Sequence, residues 1–211
     1  MSNAVEVSAV TVMHEGLTLL HPVTFSLVQG ECAAVTGANG TGKTTLLRVL
    51  AGTVAASGGI ARIDGYAIDD RSVSYRRAVS ALIGVPAYYD DLTLLDHLEL
   101  LERLWRGEAS TTVFEELDME FLAHRYPREL SSGQQQLFHL ALALARPAGV
   151  LILDEPEQRL DKVRRQNLAG ILTRRKSAGS AIVLATHDAE LAEAVATRVV
   201  HLSPTDEDAR R

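Results

Sequence analysis

The sequence predicts an α/β fold with a parallel central sheet, and three stretches carry that prediction. Glu31-Cys-Ala-Ala-Val-Thr36, Val150 to Leu153 and Ala181 to Ala185 are short apolar runs ending at polar residues, as strands covered on both faces do. The first run leads into Gly37-Ala-Asn-Gly-Thr-Gly-Lys-Thr44, and Thr44 to Leu50 behind it reads as a helix. Strand, glycine-rich loop and helix therefore arrive in order. At 211 residues the chain can bury a full core and is read as one domain spanning 1–211.

Ahead of the loop, Val5 to Met13 alternates apolar and polar residues and Val23 to Val28 does so less cleanly, which predicts half-exposed antiparallel strands. Gly58-Gly59, Ile60 to Ile63 and Asp64-Gly65 read as a strand and turn completing that N-terminal β layer. The middle third reads as helical. Thr93 with Asp96 makes a capping-box pattern opening a helix to about Trp105, and Thr112 with Glu115 suggests another start before Phe121. Ser131 opens a further helix whose body, Leu137 to Ala145, is apolar nearly all round and is expected to run into the core. Residues 203–211 have little apolar content and read as a loose tail.

Composition removes several classes of function. No window approaches the roughly 18 uninterrupted apolar residues of a membrane span, and the start lacks the basic and apolar regions of a signal peptide. A soluble, cytoplasmic chain is expected. The single cysteine, Cys32, excludes an internal disulfide and a multi-cysteine metal site, and its place in an apolar run makes it a small core residue. A formal charge of −6 argues against a general nucleic-acid binder. Lys162 to Lys176 holds six basic residues and no acidic one, but Val163, Ile171 and Leu172 offer a buried side and no aromatic platform accompanies the charge. A solvated helix face is the expectation there, and no nucleic acid is expected as a partner.

The loop carries the most specific chemistry. Its small residues let the backbone curl so that N–H groups face phosphate oxygens, and the following helix start adds partial positive charge. Gly37, Ala38, Asn39, Gly40, Thr41, Gly42, Lys43, Thr44 and Thr45 are thus candidate contacts for ATP or GTP. Lys43 is placed to reach the β and γ phosphates, and Thr44 to offer its hydroxyl to Mg²⁺. Leu151-Ile-Leu-Asp154-Glu155 puts carboxylates at the end of a buried strand, beside the loop if both strands share one parallel sheet. Asp154 is then the candidate Mg²⁺ residue, and Glu155 the candidate to orient or deprotonate a water attacking the γ-phosphate. Leu130-Ser-Ser-Gly133-Gln-Gln-Gln136 places a serine hydroxyl and exposed N–H groups at a helix N-terminus. By itself that is a serine N-cap.

With these motifs in this order, the chain resembles the ATP-binding subunits of ABC (ATP-binding cassette) transporters over nearly its full length. The resemblance implies a P-loop NTPase with a RecA-like parallel-sheet core, an N-terminal antiparallel β layer and a helical subdomain at about 86–146. Gly37 to Thr44 resembles the Walker A loop, Ser131 to Gln134 the signature, and Leu151 to Glu155 Walker B. Leu160-Asp161 looks like the end of the D-loop, and His187 in Thr186-His187-Asp188 looks like the switch histidine that contacts the γ-phosphate. In the family the signature serine and glycine, here Ser131 and Gly133 with Gln134 beside them, contact ATP held by the opposite subunit, and Asp161 is a further candidate for nucleotide binding. Catalytic roles for Lys43, Glu155 and His187, with ATP and Mg²⁺ as cofactors, follow from the resemblance. It also implies two expected partners, a second ATP-binding subunit (identical or not) and a transmembrane permease that holds the chain at the inner face of the cell membrane. Compact length suits a small exporter. A soluble ABC ATPase without a transport role and a weakly catalytic half of a heterodimer are the alternative readings.

Three departures from the family pattern stand out. Gly84 stands where a Q-loop glutamine or glutamate is usual, which implies altered hydrolysis or coupling. His14 lies where an aromatic residue usually stacks on adenine; imidazole can stack with less area. Glu157-Gln-Arg159 replaces the small residues common before Leu160-Asp161.

Overall fold

The structure, a computed structural model, describes residues 3–106, 109–110 and 112–203. Two sheets share the chain. The N-terminal layer is antiparallel, with strands β1 (Val5–His14), β2 (Leu17–Leu27), β4 (Gly58–Ile63) and β5 (Tyr66–Ala67) in the order β2-β1-β4-β5. The parallel sheet runs β6-β7-β8-β3-β9, from β3 (Cys32–Thr36), β6 (Val79–Leu82), β7 (Val150–Asp154), β8 (Ala181–Ala185) and β9 (Arg198–His201). The three apolar runs of the sequence are its three interior strands, and residues of β3, β7 and β8 are buried on both faces.

Alternation along these strands divides the core in two. Ile182 and Leu184 of β8, with Leu151 and Leu153 of β7, face a cluster built on the helices α3 (Leu94–Leu104), α4 (Val113–Glu116) and α5 (Ser132–Leu144). Ala181, Val183 and Ala185, with Val150 and Ile152, face the opposite way onto Leu46, Leu47 and Leu50 of α1 (Lys43–Leu50) and the inner face of the antiparallel sheet. A period-2 strand buried on both faces can do nothing else.

Local chemistry explains the helix starts. Thr93 and Asp96 form a reciprocal capping box for α3, and Ser131 and Gln134 another for α5. Thr112 precedes only the four-residue α4 and accepts no backbone N–H, its hydroxyl donating instead to Glu116 at 3.4 Å. A 3₁₀ turn at Glu120–Leu122 follows, so the start expected before Phe121 opens two short pieces. The second strand begins at Leu17 rather than Val23.

The basic helix is α6 (Lys162–Ser177). Its buried residues are Leu168, Ile171 and Leu172, while Val163 is 73% exposed and corrects the expectation that it lies on the buried side. Arg165 pairs with Asp188 at 3.0 Å, Arg175 with Glu116 at 3.0 Å, and Lys176 donates to Val195 O at 2.6 Å. Much of its charge is thus engaged within the molecule. Among the described residues no helix is long and apolar enough to cross a membrane. Of the tail, residues 204–211 lie outside the described residues.

Candidate functional site

Register brings the motifs together. Asp154 of β7 lies opposite Ala185 of β8, which lies opposite Val35 of β3, so the chain leaves all three strands at one edge of the sheet. Beyond that edge stand the loop 37–42, Glu155 and Thr186-His187. Ligand sites of open parallel sheets form at this carboxyl end.

The loop needs its glycines. Gly37, Gly40 and Gly42 have φ of 149°, 82° and 90°. A Cβ on Gly42 would stand 2.5 Å from Leu19 O, and one on Gly37 2.6 Å from Thr41 Oγ1. Thr41, 2% exposed, braces the turn by donating to Ala38 O at 2.9 Å. Lys43 is 6% exposed and its Nζ donates to Gly37 O at 2.9 Å and Ala38 O at 3.0 Å, so the ammonium sits in the concavity of the loop. A cavity of about 260 Å³ opens there, lined by Asn39, Gly40, Gly42, Lys43, Thr44, Thr45, Leu19 and Glu155. His14 closes β1 at the exposed hairpin opposite Leu17; from that hairpin it is Leu19 that lines the cavity.

Thr44 Oγ1 donates to Asp154 Oδ2 at 2.7 Å, joining loop helix to strand end. Asp154 Oδ1 is buried with no hydrogen-bond partner among the described residues. Burial pushes the Asp154 carboxyl up from the usual carboxylate range and the neighbouring Glu155 charge adds to this, while the Thr44 hydrogen bond and the charges of Arg48 and Lys43 oppose it. An unpartnered buried oxygen beside a threonine hydroxyl suits a hard cation taking oxygen ligands.

Glu155 adopts φ +47°, and its N–H donates to Ala185 O at 2.8 Å. His187 Nε2 lies 3.2 Å from Glu155 Oε1, and Gln158 Nε2 donates to Oε2. Both oxygens of the candidate catalytic carboxylate are therefore engaged by side chains of this chain. The interaction with Gln158, like the burial of Glu157 beneath Thr186, escaped sequence reading. Both residues fall in the stretch already noted as unusually bulky, but no pattern in the sequence gave their direction.

The signature residues lie at the start of α5, where Ser131 Oγ accepts the Gln134 N–H at 3.4 Å and Gln134 Oε1 accepts the Ser131 N–H at 2.9 Å. Gly133 packs closely, since a Cβ there would be 3.0 Å from Arg159 O. Asp161 is the N-cap of α6 and accepts the Arg164 N–H at 2.9 Å. Gly84 follows β6 with φ +69° and nothing within 4 Å of a Cβ built on it. The space for a larger side chain is present there.

A glycine-rich loop between a buried strand and a helix, with a buried lysine and an acidic strand end beside it, defines a P-loop nucleotide-binding protein. This chain belongs to the ABC transporter family, whose match runs over residues 20–158. It is 35% identical over 204 residues to the spermidine/putrescine import ATP-binding protein PotA of Trichodesmium erythraeum, covering 93% of this chain and 53% of that protein. It is 36% identical over 205 residues to the aliphatic sulfonates import ATP-binding protein SsuB of Cupriavidus necator, covering 93% of this chain and 65% of that protein. The chain thus spans between half and two thirds of these curated relatives. A dimeric bacterial ABC transporter cassette superposes with a TM-score of 0.81 at 26% identity, covering 94% of each chain. The P-loop, two-sheet fold expected from the sequence is that of the ABC cassettes. Both relatives are named for import, which does not support the export direction expected from chain length.

Proposed function

We propose that this chain is the ATP-hydrolysing subunit of an ABC transporter, acting as one of a pair on the cytoplasmic face of a membrane through a separate permease. The observation that carries the reading is the convergence of Lys43, Thr44, Asp154, Glu155 and His187 at the carboxyl ends of β3, β7 and β8. Loop N–H groups and the Lys43 ammonium hold the β and γ phosphates. Thr44 and Asp154 fit Mg²⁺, which when bound neutralises phosphate charge. Glu155 orients the attacking water and accepts its proton as ATP goes to ADP and inorganic phosphate. His187, within reach of Glu155, aligns that carboxylate and the γ-phosphate. Ser131 and Gly133 at the start of α5 complete the site of a second copy, a role supported by the dimeric relative. The helical subdomain is assigned to about 86–146, a reading supported by the packing of α3, α4 and α5 on one face of the sheet.

Glu155→Gln keeps shape while removing the proton acceptor. It is expected to lower the ATPase rate by about two to three orders of magnitude while leaving ATP binding intact. Equal rates for variant and wild type would remove Glu155 from the mechanism. Capture of a polytopic membrane protein from native membranes, sensitive to ATP, tests the permease reading. A second reading, a weakly catalytic member of a heterodimer, is favoured by Gly84, which offers no side chain to water or metal. Low activity alone that rises on adding a second cassette would support it.

A further inference from the structure

Glu157 is 8% exposed, although it stands on a short turn two residues after Glu155. A carboxylate is taken out of water at considerable expense unless donors meet it. Here Oε1 accepts both the Thr186 hydroxyl and, at 3.2 Å, the His187 N–H. Oε2 is buried without a partner among the described residues. Thr186 Oγ1 in turn accepts the Asp188 N–H at 2.9 Å, so one carboxylate oxygen organises residues 186 to 188.

The same histidine is held at its other end. His187 Nε2 lies 3.2 Å from Glu155 Oε1, so Glu155 engages the ring while Glu157 engages the backbone. The turn bearing both carboxylates is itself fixed. Gln136 Nε2 donates to Pro156 O at 3.0 Å, Gly133 closes on Arg159 O, and Arg159 takes φ +62°. A small side chain at 157 could not reach the hydroxyl and the amide together.

We propose that Glu157 is a positioning residue for ATP hydrolysis: it ties Thr186 and the His187 backbone to the turn that carries Glu155, so that the imidazole stays on the catalytic carboxylate. The inference rests on the ATPase reading given above. Its donors are the Thr186 hydroxyl and the His187 N–H, so it acts through His187.

The test compares wild type, Glu157→Ala, Glu157→Gln, Thr186→Val, His187→Ala and the Glu157→Ala/His187→Ala pair. Steady-state ATPase rates and site-resolved amide exchange are measured on each. Glu157→Ala is expected to lower kcat about 10-fold with KM changed less than about twofold, because misplacement rather than binding is at fault. Glu157→Gln retains an acceptor oxygen and is expected to recover most of the rate. Two residues acting as one unit give non-additive losses, so the double variant is expected within about twofold of His187→Ala. The His187 amide is expected to exchange at least about 10-fold faster in Glu157→Ala while β3 amides hold their protection. Thr186→Val, which keeps the carboxylate and deletes one donor, is expected to show a smaller loss in the same direction and serves if Glu157→Ala does not fold. An unchanged kcat, losses that multiply in the pair, Glu157→Gln as slow as Glu157→Ala, or unaltered His187 exchange would each overturn the proposal. If wild type hydrolyses no ATP, the ATPase reading fails, and His187 exchange alone decides whether Glu157 holds the loop.

Discussion

At the scale of single residues, backbone conformation decides what the phosphate loop tolerates. Gly42 combines φ +90° with a Cβ position 2.5 Å from Leu19 O, a backbone atom that has no side-chain freedom to yield. Gly42→Ala is therefore expected to weaken nucleotide binding at least about 10-fold by distorting the first turn of α1, with titration of a fluorescent ATP analogue as the measurement. Binding within twofold of wild type would show that the loop relaxes. Asp154 and Thr44 illustrate the opposite economy: their mutual hydrogen bond leaves one carboxylate oxygen buried and open, a poor arrangement for stability and a good one for a cation.

At the scale of elements, α5 links signature and core. Its first turn presents Ser131, whereas Phe138, fully buried, meets Tyr88 edge-on at 5.7 Å and His97 at 5.1 Å between centroids. Phe138→Ala is expected to destabilise the protein by about 3–5 kcal/mol, read from urea unfolding, because the cavity is walled by helices on one side and sheet on the other. A loss below about 1 kcal/mol would mean that the wall collapses inward. Elements of this kind were legible in the sequence: β3, β7 and β8 are continuous apolar runs, and α3 and α5 carry their caps. The elements left unassigned have physical reasons for silence. β6 is four residues with Ser80 in the middle, whose hydroxyl donates to Ala143 O of α5, far along the chain, at 2.8 Å. β9 has three of four residues exposed, and the early half of β2 contains His21-Pro22. The candidate site was legible where loop chemistry is local, at 37–45 and 154–155. It was not legible at Glu157, because a glutamate on a turn points outward by default and it is the Thr186 hydroxyl and the His187 N–H, far along the chain, that turn it in.

At the scale of the whole molecule, a histidine buried uncharged makes stability depend on pH. His139 is 5% exposed, stacked on Tyr88 at 5.9 Å, and its Nε2 has no partner among the described residues. Burial, and secondarily the charge of Arg159, holds its imidazole below the ordinary value. The unfolded chain then binds a proton near pH 6.5 while the folded chain does not, so this contribution is complete above that pH and is lost progressively as pH falls below it. Urea unfolding from pH 7.5 to 5.5 is expected to show a midpoint that drops with pH in wild type and drops less in His139→Gln; parallel slopes would exclude His139 as the cause. The parallel sheet has a second consequence at this scale, for colloidal behaviour. Its two outer strands, β6 and β9, are four residues each, and each is attended by an arginine: Arg146 donates to Val79 O at 3.0 Å, and Arg198 opens β9 facing Glu31. Open sheet edges recruit strands from other molecules. Short edges, each with an arginine beside it, offer little of that template, so strand addition at the two ends of the parallel sheet is disfavoured.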